Sequence, residues 1–178
     1  MEKKKNDFIA QGSILAIASI LVRVMGMIYR IPMTAIIGDK GNGFYSYAYS
    51  VYTILLLLSS YSLPLAVSKM VSAKAQLGQW RNVKRVFICA IAFAIGIGTT
   101  FGLIVLIGAQ FFTRVFFHSE LAAIALRFMA PTILIMALLG VFRGFFQGLQ
   151  NTLPTAVSQI VEGLINAIMS VVFAYFLF

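Results

Sequence analysis

The sequence predicts an all-α, polytopic membrane protein of about five transmembrane helices, and three observations carry that prediction. Hydrophobic residues make up 61% of the 178, against only 14 basic and 5 acidic side chains, and the mean hydropathy is +0.95. That balance belongs to membrane spans rather than to a soluble domain. Apolar runs longer than about 18 residues recur along the chain, each enough for a helix to cross a hydrocarbon core of ~30 Å. The cations fall mostly between those runs. The net charge of +9, which in a soluble protein would point to nucleic acid, is therefore read as bilayer orientation, with no nucleic-acid partner. The whole of 1–178 reads as one helical membrane domain with spans at about 8–38, 44–71, 86–112, 121–149 and 153–178.

The N-terminal MEKKKND and the apolar run behind it lack the small-residue cleavage site of a signal peptide, so they read as an uncleaved first span. That span, FIAQGSILAIASILVRVMGMIYRIPMTAIIG, contains Arg23 and Arg30. A central arginine costs roughly 2.5 to 3.5 kcal/mol on insertion scales, while each Ile, Leu or Val returns only about 0.3 to 0.6. The two arginines are seven residues apart, about two helical turns, and so share one side of the helix. An arginine stripe of this kind faces a hydrated cavity in a helix bundle more cheaply than it faces lipid, and such a cavity attracts an anion. Pro32 predicts a local kink. Residues 38–43, GDKGNG, predict a tight polar turn.

In span two, Tyr45, Tyr49 and Tyr52 form one stripe, read either as an interfacial aromatic belt or as a face touching sugar or lipid. Pro64 breaks or bends this helix, and Lys69 and Lys74 mark a basic exit. The loop QLGQWRNVKR, residues 76–85, carries Arg81, Lys84 and Arg85 around Trp80 and reads as a headgroup-facing connection. Span three, 86–112, has no charge in 27 residues. Its GIGTTFG, 96–102, is no nucleotide loop, since no strand precedes it and the spacing differs. Gly98 and Gly102 instead make a small-xxx-small pair for close helix contact. Cys89 in the same span reads as a buried, inert thiol, and one cysteine excludes an internal disulfide.

TRVFFHSE, 113–120, is a short connection holding His118, the single histidine, with nothing beside it to complete a metal site. In span four, Gly140, Gly144 and Gly148 repeat every four residues as a glycine face for a close neighbour. Arg143 and Gln147 form a second stripe. Arg143 reads either as snorkelling to the rim or as functional, and Lys69, Arg127, Arg143 and Gln147 are grouped as rim or gating residues. Span five holds Glu162, the one carboxylate inside a span, with Asn166 a turn later. Such a carboxylate is a functional candidate, with Arg23 or Arg30 as its partner. The alternative is a structural ion pair. With the N-terminus inside, nine cations (Lys3, Lys4, Lys5, Lys69, Lys74, Arg81, Lys84, Arg85, Arg143) face the cytoplasm and three (Lys40, Arg114, Arg127) face out. A cell-membrane protein with a cytoplasmic N-terminus follows from that bias.

Several stretches resemble a known family: RVMG at 23–26 with Arg30, IGDKGNGFY at 37–45, LPLAVSK at 63–69, RGFFQG at 143–148 followed by QNTLPT at 150–155, and SQIVE at 158–162. They are similar to the oligosaccharidyl-lipid flippases of the multidrug/oligosaccharidyl-lipid/polysaccharide exporter superfamily, in particular the polysaccharide biosynthesis proteins of the stage V sporulation protein B type, relatives of the MurJ lipid II flippases. The resemblance implies a flippase, not an enzyme, moving an undecaprenyl-pyrophosphate-linked oligosaccharide by alternating access, with Arg23 and Arg30 on the pyrophosphate; the reading of span five adds Glu162 and Asn166 as cavity candidates. The resemblance also implies membrane lipids and a lipid-linked glycan as partners, no cofactor and no metal, and leaves a coupling ion open. Where the lipid II flippases carry an acidic residue after the second arginine and further arginines in helix two, this chain has Ile31 and the apolar Leu55 to Leu58, which opens the choice of glycan. Family members resemble two lobes of about fourteen spans in all. Five spans resemble the first part of the N-terminal lobe, a fragment or a truncated frame, with the second lobe or a homo-oligomer as partner. Two other functions remain: a cation-coupled drug exporter of the same superfamily, which would need more intramembrane carboxylates, and a non-transporting scaffold using the Gly140, Gly144 and Gly148 face. No paired carboxylates or activated nucleophile point to an enzyme.

Overall fold

The structure, a computed structural model, describes residues 2–60, 62–118 and 121–177; the side chains of residues 2–11, 40, 59, 60, 121 and 177 lie outside that description. Lys3, Lys4, Lys5 and Lys40 of the charge balance fall among the latter, and Ser119, Glu120 and the end of span five at Phe178 fall outside the described residues. The chain is all helical: α1 (Glu2–Ser60), α2 (Leu63–Gln76), α3 (Trp80–Phe117), α4 (Leu121–Gly148) and α5 (Leu153–Leu177). Five segments are long and apolar enough to cross a membrane, namely Gly12–Asp39, Gly41–Gln76, Trp80–Phe117, Ala122–Gly148 and Leu153–Phe176. The protein is a multi-pass membrane protein.

Helix ends differ from the hydropathy boundaries in instructive places. Helical dihedrals run through Pro32 and break at Gly38, whose φ of 72° and ψ of 175° only glycine adopts cheaply. The expected six-residue turn is thus a single residue, and Asp39 to Gly43 already belong to the second arm of α1. Pro64 sits in the first turn of α2 behind Ser62, where its missing N–H costs nothing. The expected loop 76–85 shrinks to Leu77–Gln79. Gly78 at φ 67° donates to the Ala75 carbonyl at 3.0 Å and Gln79 to that of Lys74 at 3.0 Å, closing α2. Trp80, Arg81, Lys84 and Arg85 are therefore the first turns of α3. Cys89, expected to be buried, is exposed on α3, since an apolar run marks a span and not which of its faces is packed. At its far end His118 takes the left-handed conformation (φ 51°) and donates its N–H to the Arg114 carbonyl at 3.2 Å, so the histidine terminates a helix.

Contacts gather in two units, residues 1–42 with 150–178, and residues 43–149. In the second unit α4 is the central helix. One cluster joins Ala48 and Val51 of α1 to Val105 and Ala109 of α3 and to Leu126, Ala130 and Ile133 of α4. Another joins Leu63, Val67 and Val71 of α2 to Val83 and Ala94 of α3 and to Ala137 and Val141 of α4. Tyr45, Tyr49 and Tyr52 form a row with centroids 5.7 and 6.1 Å apart, and Tyr52 packs against the first cluster.

The α4 stripe narrows to Gly144 and Gly148, where α2 arrives. A methyl group on Gly144 would stand 2.5 Å from the Pro64 carbonyl oxygen and 2.8 Å from its Cα; on Gly148 it would stand 2.7 Å from Val71 Cβ. Both contacts include backbone, which cannot swing aside. Gly98 of α3 meets Leu134 Cα of α4 in the same manner, at 2.9 Å, and Gly102 meets the Ala130 carbonyl at 3.3 Å. Gly140 is buried on α4. Residue order along these contacts makes α2 parallel to α4 and α3 antiparallel to it, as alternating spans require.

Gly144→Ala and Gly148→Ala are expected to destabilise the protein by about 1 to 3 kcal/mol each, the usual cost of overpacking. Gly96→Ala meets nothing within 4 Å and is expected to be neutral or to stabilise by up to about 1 kcal/mol through helix propensity. Thermal unfolding in detergent, followed by circular dichroism, separates the two classes.

Candidate functional site

The residues singled out by the charge pattern of the first and last spans lie in the unit formed by the first arm of α1 and α5. Their contact is a stripe on each helix. On α1 it runs through Val22, Met25 and Tyr29, spaced three and four apart, with the buried Ala18 one turn earlier. On α5 it runs through Gly163 and Asn166. A methyl group on Gly163 would meet Val22 Cγ1 at 3.2 Å and Met25 Cε at 3.4 Å, so the glycine lets the two helices close. One turn further, Asn166 Nδ2 donates to the Tyr29 hydroxyl at 3.4 Å, and Ser170 Oγ donates to Asn166 Oδ1 at 3.3 Å. The order of these contacts makes α1 and α5 parallel, as first and fifth spans must be.

Arg23 and Arg30 each directly follow a stripe residue, Val22 and Tyr29. Each is turned about 100° from the contact line and lies exposed at its edge. Glu162 directly precedes Gly163 and is likewise exposed. Arg23, Arg30, Glu162 and Asn166 thus belong to one helix pair, with Asn166 in the contact and the three charges flanking it. The other grouped residues belong to the unit of residues 43–149. Lys69 and Arg127 are exposed there, on α2 and α4; Arg143 and Gln147 are half-buried, each one residue before a glycine that faces α2.

Two residues at the helix pair were not picked out from the sequence. Tyr29 looks like one more apolar-span residue until its hydroxyl is seen to reach Asn166; its signal is the seven-residue step from Val22. Gln159, one turn before Gly163 on α5, has a buried Oε1 without a hydrogen-bond partner among the described residues. The contact between α1 and α5 therefore carries hydroxyl and amide groups inside two apolar spans, flanked by two guanidiniums and a carboxylate. Guanidinium forks match the oxygens of phosphate and carboxylate and bind them best where water is scarce. Among the described residues no group of three His, Cys, Asp or Glu side chains could hold a metal ion.

Comparison with known proteins agrees on one family. The model of the family described as polysaccharide biosynthesis protein matches residues 8–178. The chain is 27% identical over 163 residues to lipid II flippase MurJ of Bacillus subtilis, covering 87% of the chain and 30% of that protein. It is 26% identical over 162 residues to stage V sporulation protein B of the same organism, covering 91% and 31%. It is 28% identical over 159 residues to the B. subtilis membrane protein YabM, covering 89% and 29%. The chain thus spans about three tenths of the length of these relatives. No solved structure matches it. With a family model covering nearly its whole length, the chain belongs to the polysaccharide biosynthesis protein family.

Proposed function

We propose that this chain forms part of a flippase that moves an undecaprenyl-pyrophosphate-linked oligosaccharide, a cell-wall or polysaccharide precursor, across the cytoplasmic membrane by alternating access. The observation that carries this reading is the pair Arg23 and Arg30. They lie two turns apart on one side of an apolar span, beside a polar contact with α5. One relative supports the substrate class through its name, lipid II flippase MurJ, and the family description, polysaccharide biosynthesis protein, agrees with a glycan precursor. Ile31 and Leu55 to Leu58 leave the glycan open between lipid II and another lipid-linked sugar.

The physics of the site suits a pyrophosphate. The two arginine Cα atoms are separated by about 10 Å of helical rise, a span over which two long side chains converge on neighbouring phosphate groups. Each guanidinium would offer paired N–H donors to phosphate oxygens, and the apolar surroundings strengthen those charge-assisted bonds. The polyprenyl tail would stay in lipid, against the exposed apolar side chains of the same arm such as Ile20, Met27 and Ile31. Glu162 would balance the arginines when no anion is bound, and the bond between Asn166 and Tyr29 would fix the rotation of α1, and with it the direction of Arg30. Rocking of helix groups about the midplane site would then expose it to the other face. The same reading makes the N-terminus cytoplasmic, because nine cations then lie inside against three outside.

Binding of undecaprenyl pyrophosphate by the purified chain in detergent tests the proposal. Arg23→Ala and Arg30→Ala are each expected to weaken binding roughly tenfold or more, the scale of a lost charged hydrogen bond. Lysine at either position should give an intermediate loss, since it keeps the charge without the fork. Wild-type affinity in both alanine variants would rule the anion site out. Tyr29→Phe is expected to weaken binding a few-fold. A double-mutant cycle with Asn166→Ala should be strongly non-additive, because either change alone breaks the same bond.

A further inference from the structure

The strongest feature outside the α1–α5 pair is the start of α3. Arg81, Lys84 and Arg85 fall at i, i+3 and i+4, and Ile88 and Ile95 continue the same line one and three turns on. All five are exposed, on the side of the helix away from its buried residues Val83, Ala94 and Val105. One helix face therefore presents three cations at its end and an apolar track behind them. That is the outline of a phospholipid, with a charged head above and an acyl chain below. Trp80, 63% exposed, stands beside the cations at the level where amphipathic rings meet headgroups.

Arg81, Lys84 and Arg85 have no carboxylate near them along the chain. No acidic residue occurs between Lys40 and Ser119, and Glu120, the one carboxylate of the 43–149 stretch, comes after the far end of α3. That helix has 38 residues, about 57 Å of rise. The cations also sit at the positive end of the helix macrodipole, with no acidic residue in the first turn and no side-chain cap from Gln79. Three like charges placed against the dipole raise the energy of this end unless an anion offsets them.

We propose that this face of α3 is a binding site for an anionic phospholipid. The headgroup phosphate is held by Arg81, Lys84 and Arg85, and an acyl chain lies along Ile88 and Ile95. The site is independent of the transport reading and of its substrate. Trp80 is the only tryptophan of the chain, so its fluorescence reports the site directly. The chain is reconstituted in phosphatidylcholine vesicles carrying brominated phosphatidylglycerol or, in parallel, brominated phosphatidylcholine at equal low mole fraction. Brominated phosphatidylglycerol should quench Trp80 more strongly. Arg81→Gln, Lys84→Gln and Arg85→Gln should each lower the apparent preference about fivefold, the factor for one cation at an anionic surface. Arg114→Gln, at the other end of α3, should leave it unchanged. Equal quenching by the two lipids in the wild type overturns the proposal without recourse to any variant. So does a preference that survives the triple substitution with helix content intact, one abolished equally by Arg114→Gln, or one removed by inorganic phosphate, which would make the site a general anion trap.

Discussion

Close approach of backbones at the small residues of α4 is the contact on which the larger unit depends. In a bilayer the lipid tails are as apolar as leucine, so hiding hydrophobic surface does little to draw helices together; tight van der Waals contact does. Gly144 and Gly148 bring α4 against the first turns of α2, and Gly98 and Gly102 bring α3 against the opposite stretch of α4. Ala130 and Ala137 of α4 continue the same logic along its length. Pro64 fits this arrangement because it begins a helix rather than interrupting one, leaving its carbonyl and Cα as a smooth surface for Gly144.

The smaller unit is held differently. Between α1 and α5 there is one glycine, Gly163, and beyond it the contact turns polar, through Tyr29, Asn166 and Ser170. Hydrogen bonds between membrane helices add only about 0.6 kcal/mol on average, so this pair gains direction more than strength. Just 6% of the Gly12–Asp39 and Leu153–Phe176 windows is buried, against 33% for Ala122–Gly148. Each within its own unit, the α1–α5 contact is thus directional and the packing around α4 is close.

The spans themselves were legible because hydropathy and length are what a bilayer selects, and the four-residue glycine repeats were legible because the helical period maps them to one face. Helix ends were not. Trp80 to Arg85 look like a loop by composition, yet charged residues continue a helix past the hydrocarbon as readily as apolar ones. Gly38 rather than Pro32 interrupts α1, because glycine alone adopts its φ of 72° and ψ of 175° cheaply, whereas a proline can be carried in a helix at some cost. The link between Tyr29 and Asn166 joins residues 137 apart. It depends on the parallel contact of the first and fifth helices, which no local pattern encodes.

One placement recurs in both units and ties packing to function. Arg23 follows Val22, Arg30 follows Tyr29, Glu162 precedes Gly163, and Arg143 and Gln147 precede Gly144 and Gly148. In each case the charged or polar side chain is one residue from the contact line, about 100° around the helix. On the line itself a long charged chain would force the helices apart. Opposite the line it would sit in lipid at a cost of several kcal/mol. One step to the side it clears the helix contact and stays next to it. The neighbouring contact also fixes the rotation of the helix, and with it the side from which the charged chain leaves.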